Sequence, residues 1–186
     1  MKLAAMTMTA AALALTACGH KETTTTMTTD NTVVATNDIA AVPTPSGGQS
    51  FANTAAASDA FEIATSKLAL DKSGSAAVKK FAQKMIDAHT GSTARLKAIA
   101  AGAVPAITPD PTLTAGQQAT VDSLKNLTGP DFDKAYAAAQ VDGHQKTLDA
   151  LKAYAATGDV PAFKDFATNL VPTVTAHLNM AKSLKP

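Results

Sequence analysis

From Phe51 onward the apolar residues recur at alternating steps of four and three, and that spacing constrains the fold more than any other feature of the chain. Residues three or four apart share one side of an α-helix, whereas a strand would need alternation at every second residue. Val78, Ala82, Met85, His89, Ser92, Leu96 and Ile99 keep the step in one stretch. Ala137, Val141, His144, Leu148, Leu151 and Ala155 keep it in a second, and Phe163, Ala167, Leu170, Val174, His177, Ala181 and Leu184 in a third. Phe51, Ala55, Ser58, Thr65 and Ala69 form an earlier seam, with Glu62 next to it. Abundant alanine and the absence of tryptophan predict slim helices that pack closely.

Breaks in the pattern set the lengths. The first helix is expected over 51–72, ended by Ser73-Gly74-Ser75, with Gly74 in a left-handed position beyond the last turn. The second runs to about Ala101 and meets a loop holding Pro105, Pro109 and Pro111. Thr114-Ala115-Gly116-Gln117 matches a capping box, so a short helix should start there and end near Leu127. A third long helix opens at Pro130, with Asp131 and Asp133 suited to its positive end, and continues to about Ala156. Thr157-Gly158-Asp159 forms a tight connection, and Asp159 is placed to cap the last helix ahead of Pro161. Pro172 falls inside that helix and should bend it or free a carbonyl near Thr168. Four long amphipathic helices with a long second crossover describe an all-α four-helix bundle, as in ferritin-like folds, with a short extra helix in the crossover.

The bundle accounts for residues 51–186; what precedes it reads as an address and a stalk. Lys2 is followed by an apolar run from Leu3 to Leu15, too short to span a bilayer core of about 30 Å permanently. Leu15-Thr16-Ala17-Cys18 closes that run and resembles a bacterial lipobox. The resemblance implies cleavage before Cys18 and acylation of its thiol, so residues 1–18 form a lipoprotein signal and the membrane is a partner through acyl chains. Each buried CH₂ of such a chain contributes about 0.8 kcal/mol. The competing reading is an ordinary secretory signal cut after Ala17. Gly19, not aspartate, follows the cysteine, which by enterobacterial sorting rules favours the outer membrane facing the periplasm. Residues 19–50, with Thr23 to Thr26, Pro43, Pro45, Gly47 and Gly48, are too polar to offset their ordering entropy and read as a disordered linker.

Charge and cysteine content exclude whole classes of function. Removing residues 1–18 takes away one lysine and no acid, leaving 15 basic against 15 acidic side chains. With no basic cluster, a nucleic-acid partner is not expected. Cys18 is the single cysteine, so disulfides, zinc–cysteine sites and thiol catalysis are excluded. No serine-nucleophile motif, glycine-rich phosphate loop or Cys-x-x-Cys-His haem attachment occurs, and no catalytic residue can be assigned.

What chemistry the chain offers lies in its histidines. His89, His144 and His177 sit on three different predicted helices, each in phase with the apolar stripe. At about 1.5 Å of rise per residue, Glu62 and His89 lie roughly 18 and 22 Å from Gly74, while His144 and His177 lie roughly 21 and 28 Å from Gly158. Glu62, His89 and His144 should therefore share a layer, with His177 about one turn lower. Two readings fit. Neutral imidazoles and a carboxylate can bind a divalent transition metal such as zinc, iron or copper. Alternatively, Glu62 and the histidines form a buried hydrogen-bond network. Ile86, Val141 and Val174 stand three residues before the histidines, so the Glu-x-x-His pairs of di-iron carboxylate bundles are missing.

Three segments then carry a family resemblance: Phe81-Ala82-Gln83-Lys84-Met85-Ile86-Asp87-Ala88-His89-Thr90, Phe132-Asp133-Lys134-Ala135-Tyr136 with His144, and Leu170-Val171-Pro172 leading to His177-Leu178. Their order and combination are similar to the bacterial domain of unknown function 4142, over about residues 51 to 184. The resemblance implies a ferritin-like fold in an exported or outer-membrane protein and no established activity; its histidines map onto His89, His144 and His177. The functional expectation is a lipid-anchored envelope protein acting as a non-enzymatic binding or envelope-stress module, which leaves room for an envelope protein partner. The alternative is a periplasmic metal-binding or metal-dependent redox protein using Glu62, His89, His144 and His177.

Overall fold

The computed structural model describes residues 46–185, all but two short ends of which are helix or helix connection. Cys18, the signal segment 1–18 and residues 19–45 of the expected linker lie outside the described residues. Five helices follow in order: α1 (Gly47–Lys72), α2 (Ala76–Ala101), α3 (Ala115–Lys125), α4 (Gly129–Thr157) and α5 (Pro161–Ser183). The long four close a ring in which α1 packs on α2 and α4, and α5 packs on α4 and α2. The short α3 lies in the long connection and rests on α1 and α4. The fold is thus the expected all-α bundle with a helix in its crossover. Among the described residues no helix is long and apolar enough to cross a membrane.

Several ends differ from expectation, for identifiable reasons. Helix α1 starts one turn early, because the Ser46 side chain accepts the Gln49 N–H and supplies an N-cap. Residues 47–50, expected in the linker, are therefore helical. Gly74 is not left-handed; α1 ends on an extended Ser73 (φ −72°, ψ 139°). The positive φ among the described residues belongs to Gly129, at 58°, where α4 begins ahead of Pro130. Asp159 does not cap α5, whose N-cap is Val160 with no side-chain hydrogen bond. Instead its carboxylate accepts from the Tyr154 hydroxyl at 2.8 Å and faces the start of α1. That hydroxyl, with the N–H groups of Gly48 and Gly47, holds Asp159 below the usual carboxylate range. The capping box at Thr114 and Gln117 is formed in full. Pro172 is accommodated within a continuous α5.

Two apolar clusters fill the bundle. One gathers Phe51, Leu96, Leu148, Leu151, Phe163, Phe166 and Leu170, with Phe51 stacked on Tyr154 at 4.0 Å between ring centres. The other gathers Val78, Phe81, Met85, Leu124, Phe132 and Tyr136. Along α1, α2 and α4 the residues between these clusters are polar and buried: Asp59 and Glu62, His89, and Gln140 and His144. On α5, His177 sits between Val174 of the first cluster and Ala181 of the second.

Candidate metal centre

The polar layer exists because each histidine occupies a core position of its own helix. His89 follows Met85 by one turn on α2, His144 precedes Leu148 by one turn on α4, and His177 follows Val174 on α5; all three are buried. Their rings stand 5.6 Å (His89–His144), 5.6 Å (His144–His177) and 5.9 Å (His89–His177) apart, centre to centre. One ring nitrogen from each lies within 4.8 Å of the others. His177 is therefore in the layer and not a turn below it. Gly158, Asp159 and Val160 lie between α4 and α5 and add no helical rise. Measured from Thr157 and Pro161, the depths become roughly 20 and 24 Å.

Hydrogen bonds to the other nitrogens orient two of the rings. The Nδ1–H of His89 donates to Asp59 Oδ1 at 2.8 Å, and Thr93 Oγ1 donates to Asp59 Oδ2 at 3.1 Å. The Nδ1–H of His144 donates to the Gln140 carbonyl at 2.8 Å. His89 Nε2, His144 Nε2 and His177 Nδ1 are left buried with no hydrogen-bond partner among the described residues. A ring nitrogen whose partner nitrogen is held by a carboxylate or a carbonyl is the arrangement metal-binding histidines use.

Electrostatics favour neutral rings at two positions. Burial pushes His144 down to about 3, helped by charge on His89. Burial likewise lowers His177 to about 4, with His89 and Lys84 adding repulsion. His89 behaves differently: burial acts to lower it, but the Asp59 hydrogen bond and the nearby Glu62 outweigh that and raise it.

Glu62 belongs to the layer but not to the converging set of nitrogens. It is fully buried, and its Oε1 is 3.5 Å from His144 Nδ1, the edge of the ring already bound to Gln140. With His144 neutral this contact is not an ion pair. Neither carboxylate oxygen has a hydrogen-bond partner among the described residues. Desolvation raises Glu62 to about 7, against the opposing pull of His89 and Gln140. Room for it comes from Gly143, where a Cβ would stand 2.7 Å from Glu62 Oε1.

Asp59 was missed by the periodicity. Phe51, Thr65 and Ala69 of the expected α1 seam are buried, but in its middle Ala55 and Ser58 are half-buried while Ala52, Ala56 and Asp59 are buried. A usable signal was present, since Asp59 stands three residues before Glu62 and so shares its face.

The fold and this layer define a small helical-bundle protein with three histidines converging in its core. The chain belongs to the DUF4142 family, a domain of unknown function, whose profile matches residues 33–184. No curated protein matches it. Its fold is similar to a solved structure of "CopM in the Cu(II)-bound form", with a TM-score of 0.61, 16% identity, and coverage of 73% of this chain and 93% of that one.

Proposed function

We propose that this chain is a non-enzymatic metal-binding protein of the cell envelope that takes one transition-metal ion on His89, His144 and His177. The observation that carries the reading is three buried ring nitrogens, one from each helix, within 4.8 Å of one another. A self-contained hydrogen-bond network would pair its inward nitrogens, whereas His89 Nε2, His144 Nε2 and His177 Nδ1 have no partner among the described residues. Each such orphan costs about 1–3 kcal/mol, and one cation would satisfy all three. Metal–nitrogen bonds of about 2.0–2.1 Å put tetrahedral ligands roughly 3.3 Å apart, so ring rotations of the order of 1 Å would close the set. Imidazole donors suit zinc, copper, iron and nickel. The copper-bound state of the structural neighbour, a property of that protein, is a reason to include copper among the ions tested.

The envelope location is supported by the sequence around Cys18. Acylation there would leave a bundle with a polar surface held at the membrane by its lipid alone. Cys18→Ala should then move the protein from the membrane fraction to the soluble fraction without changing its fold.

The test of the metal reading is elemental analysis and titration of tag-free protein with Zn(II), Co(II), Cu(II) and Ni(II). One ion per chain is expected, lost in His144→Ala and in His89→Ala. Substoichiometric metal that neither substitution changes would rule the site out.

A further inference from the structure

We propose that Asp59 and Glu62 serve the site as counter-charges behind its ligands and tune it to a dication over a monocation. The inference rests on the metal reading above and adds a basis for selection by ion charge. The labour is divided by helix: α2, α4 and α5 each supply one imidazole, and α1 supplies two carboxylates. Asp59 and Glu62 lie three residues apart on one face of α1, and each addresses a different ring. Asp59 accepts from His89 at 2.8 Å, and Glu62 stands 3.5 Å from His144 Nδ1.

Neutral imidazoles bring no charge of their own, so a bound ion must find its compensation beyond them. Two carboxylates, each one ring away, balance a charge of two. Glu62 is otherwise hard to account for. A carboxylate buried completely, with no hydrogen-bond partner among the described residues, is strongly disfavoured unless a cation lies near it. The bundle nevertheless keeps space for it, because Gly143 omits a side chain that would meet Oε1 at 2.7 Å. The positive group near the third ring is Lys84, which is exposed and bonded to Met180 Sδ at 3.5 Å; solvent screens it. Glu62 does not itself bind the ion, since it sits at the Nδ1 edge of His144, turned to Gln140.

Coulomb energy scales with ion charge, so removing one carboxylate should cost a dication twice the free energy it costs a monocation. The fold-loss for the monocation is then the square root of that for the dication. Zn(II) and Ag(I) affinities of full-length wild type, Asp59→Asn and Glu62→Gln test this, with Co(II) absorption reporting the ligand set. Each substitution is expected to weaken Zn(II) about 10–100-fold, the usual range for an outer-shell partner, and Ag(I) only about 3–10-fold. The Co(II) band of Glu62→Gln should match wild type. Equal losses for both ions would make the carboxylates merely structural and overturn the proposal, as would no loss. A shifted Co(II) band would make Glu62 a ligand and overturn its outer role. A wild type that binds neither ion overturns the metal reading itself, whereas wild-type binding with an unchanged Zn(II)-to-Ag(I) ratio overturns this inference alone. Should Glu62→Gln fail to fold, Glu62→Met removes the same charge without a polar group, and the same ratio decides.

Discussion

The apolar ends of the bundle and its polar middle are built from the same four helices, yet they answer to different demands. At the ends, Phe51, Phe163 and Phe166 on one side and Phe81, Phe132 and Tyr136 on the other fill space with rings against alanine. Burial there stabilises in proportion to area. In the middle, Asp59, Glu62, Gln140 and three histidines occupy positions where leucine would pack better, and seven buried side-chain atoms there and at Asp133 lack partners among the described residues. A fold does not gain stability by such a choice. The ends hold the protein together, while the middle keeps polar groups buried at a cost to stability.

Substitutions at the ends and in the middle test the contrast directly. Phe132→Ala or Phe163→Ala, both fully buried, should each destabilise the protein by about 3–5 kcal/mol in chemical denaturation. Losses under about 1 kcal/mol at either would mean that the ends are not the structural core. Glu62→Met should move the other way and stabilise metal-free protein by about 1–3 kcal/mol, since it removes an unpaired buried carboxylate. A destabilisation of similar size would show that Glu62 has a structural partner after all.

Acidification should expose the same asymmetry. His144 and His177 titrate near 3 and 4 in the folded state but near 6.5 unfolded, so the unfolded chain binds more protons between those values. Stability from these two is present above pH 6.5 and is lost as pH falls towards 4. Glu62, raised from 4.5 to about 7, works oppositely and favours the folded state as pH falls from 7 to 4.5. Two groups against one leave a net loss of stability on acidification between about pH 6.5 and 4.5. His89, raised in the folded state, contributes stability that is lost only as pH rises beyond that window. Denaturation series at pH 6.5 and 4.5 on wild type and a His144→Gln, His177→Gln double variant should show the loss in the first and its absence or reversal in the second. The smallest effect is expected outside both regions: Thr114→Ala removes the cap of α3 and should cost about 1 kcal/mol.

The ends were more legible in the sequence than the middle, and the reason is physical. Apolar periodicity reports burial, so Leu148, Phe163 and Leu170 could be read directly, and the capping box at Thr114 is a local device with its own signature. The histidines were legible because they keep the apolar phase. Asp59 was not, since an acid on an alanine-rich helix looks like solvent-facing surface until a partner on another helix is known. Glu62 is legible as a member of the layer, but its place outside the three converging histidines is not. Periodicity gives the face and depth of a residue, whereas the edge of a ring it meets depends on how two helices are rotated. The same limit applied to Gly74 and Asp159, whose conformations follow from contacts at Ser73 and at the start of α1.

The polar layer has a further consequence, for registration along the bundle axis. Alanine-rich helices present smooth, repetitive surfaces, and one turn looks much like the next. Sliding α5 by a single turn, about 5.4 Å, would keep its apolar stripe facing inward but carry His177 out of line with its counterparts. Sliding α1 would push Asp59 or Glu62 among the phenylalanines. The hydrogen bond from His89 to Asp59 thus acts as a notch at which the helices can stop, a role it shares with the buried bond between Ser66 and Tyr136.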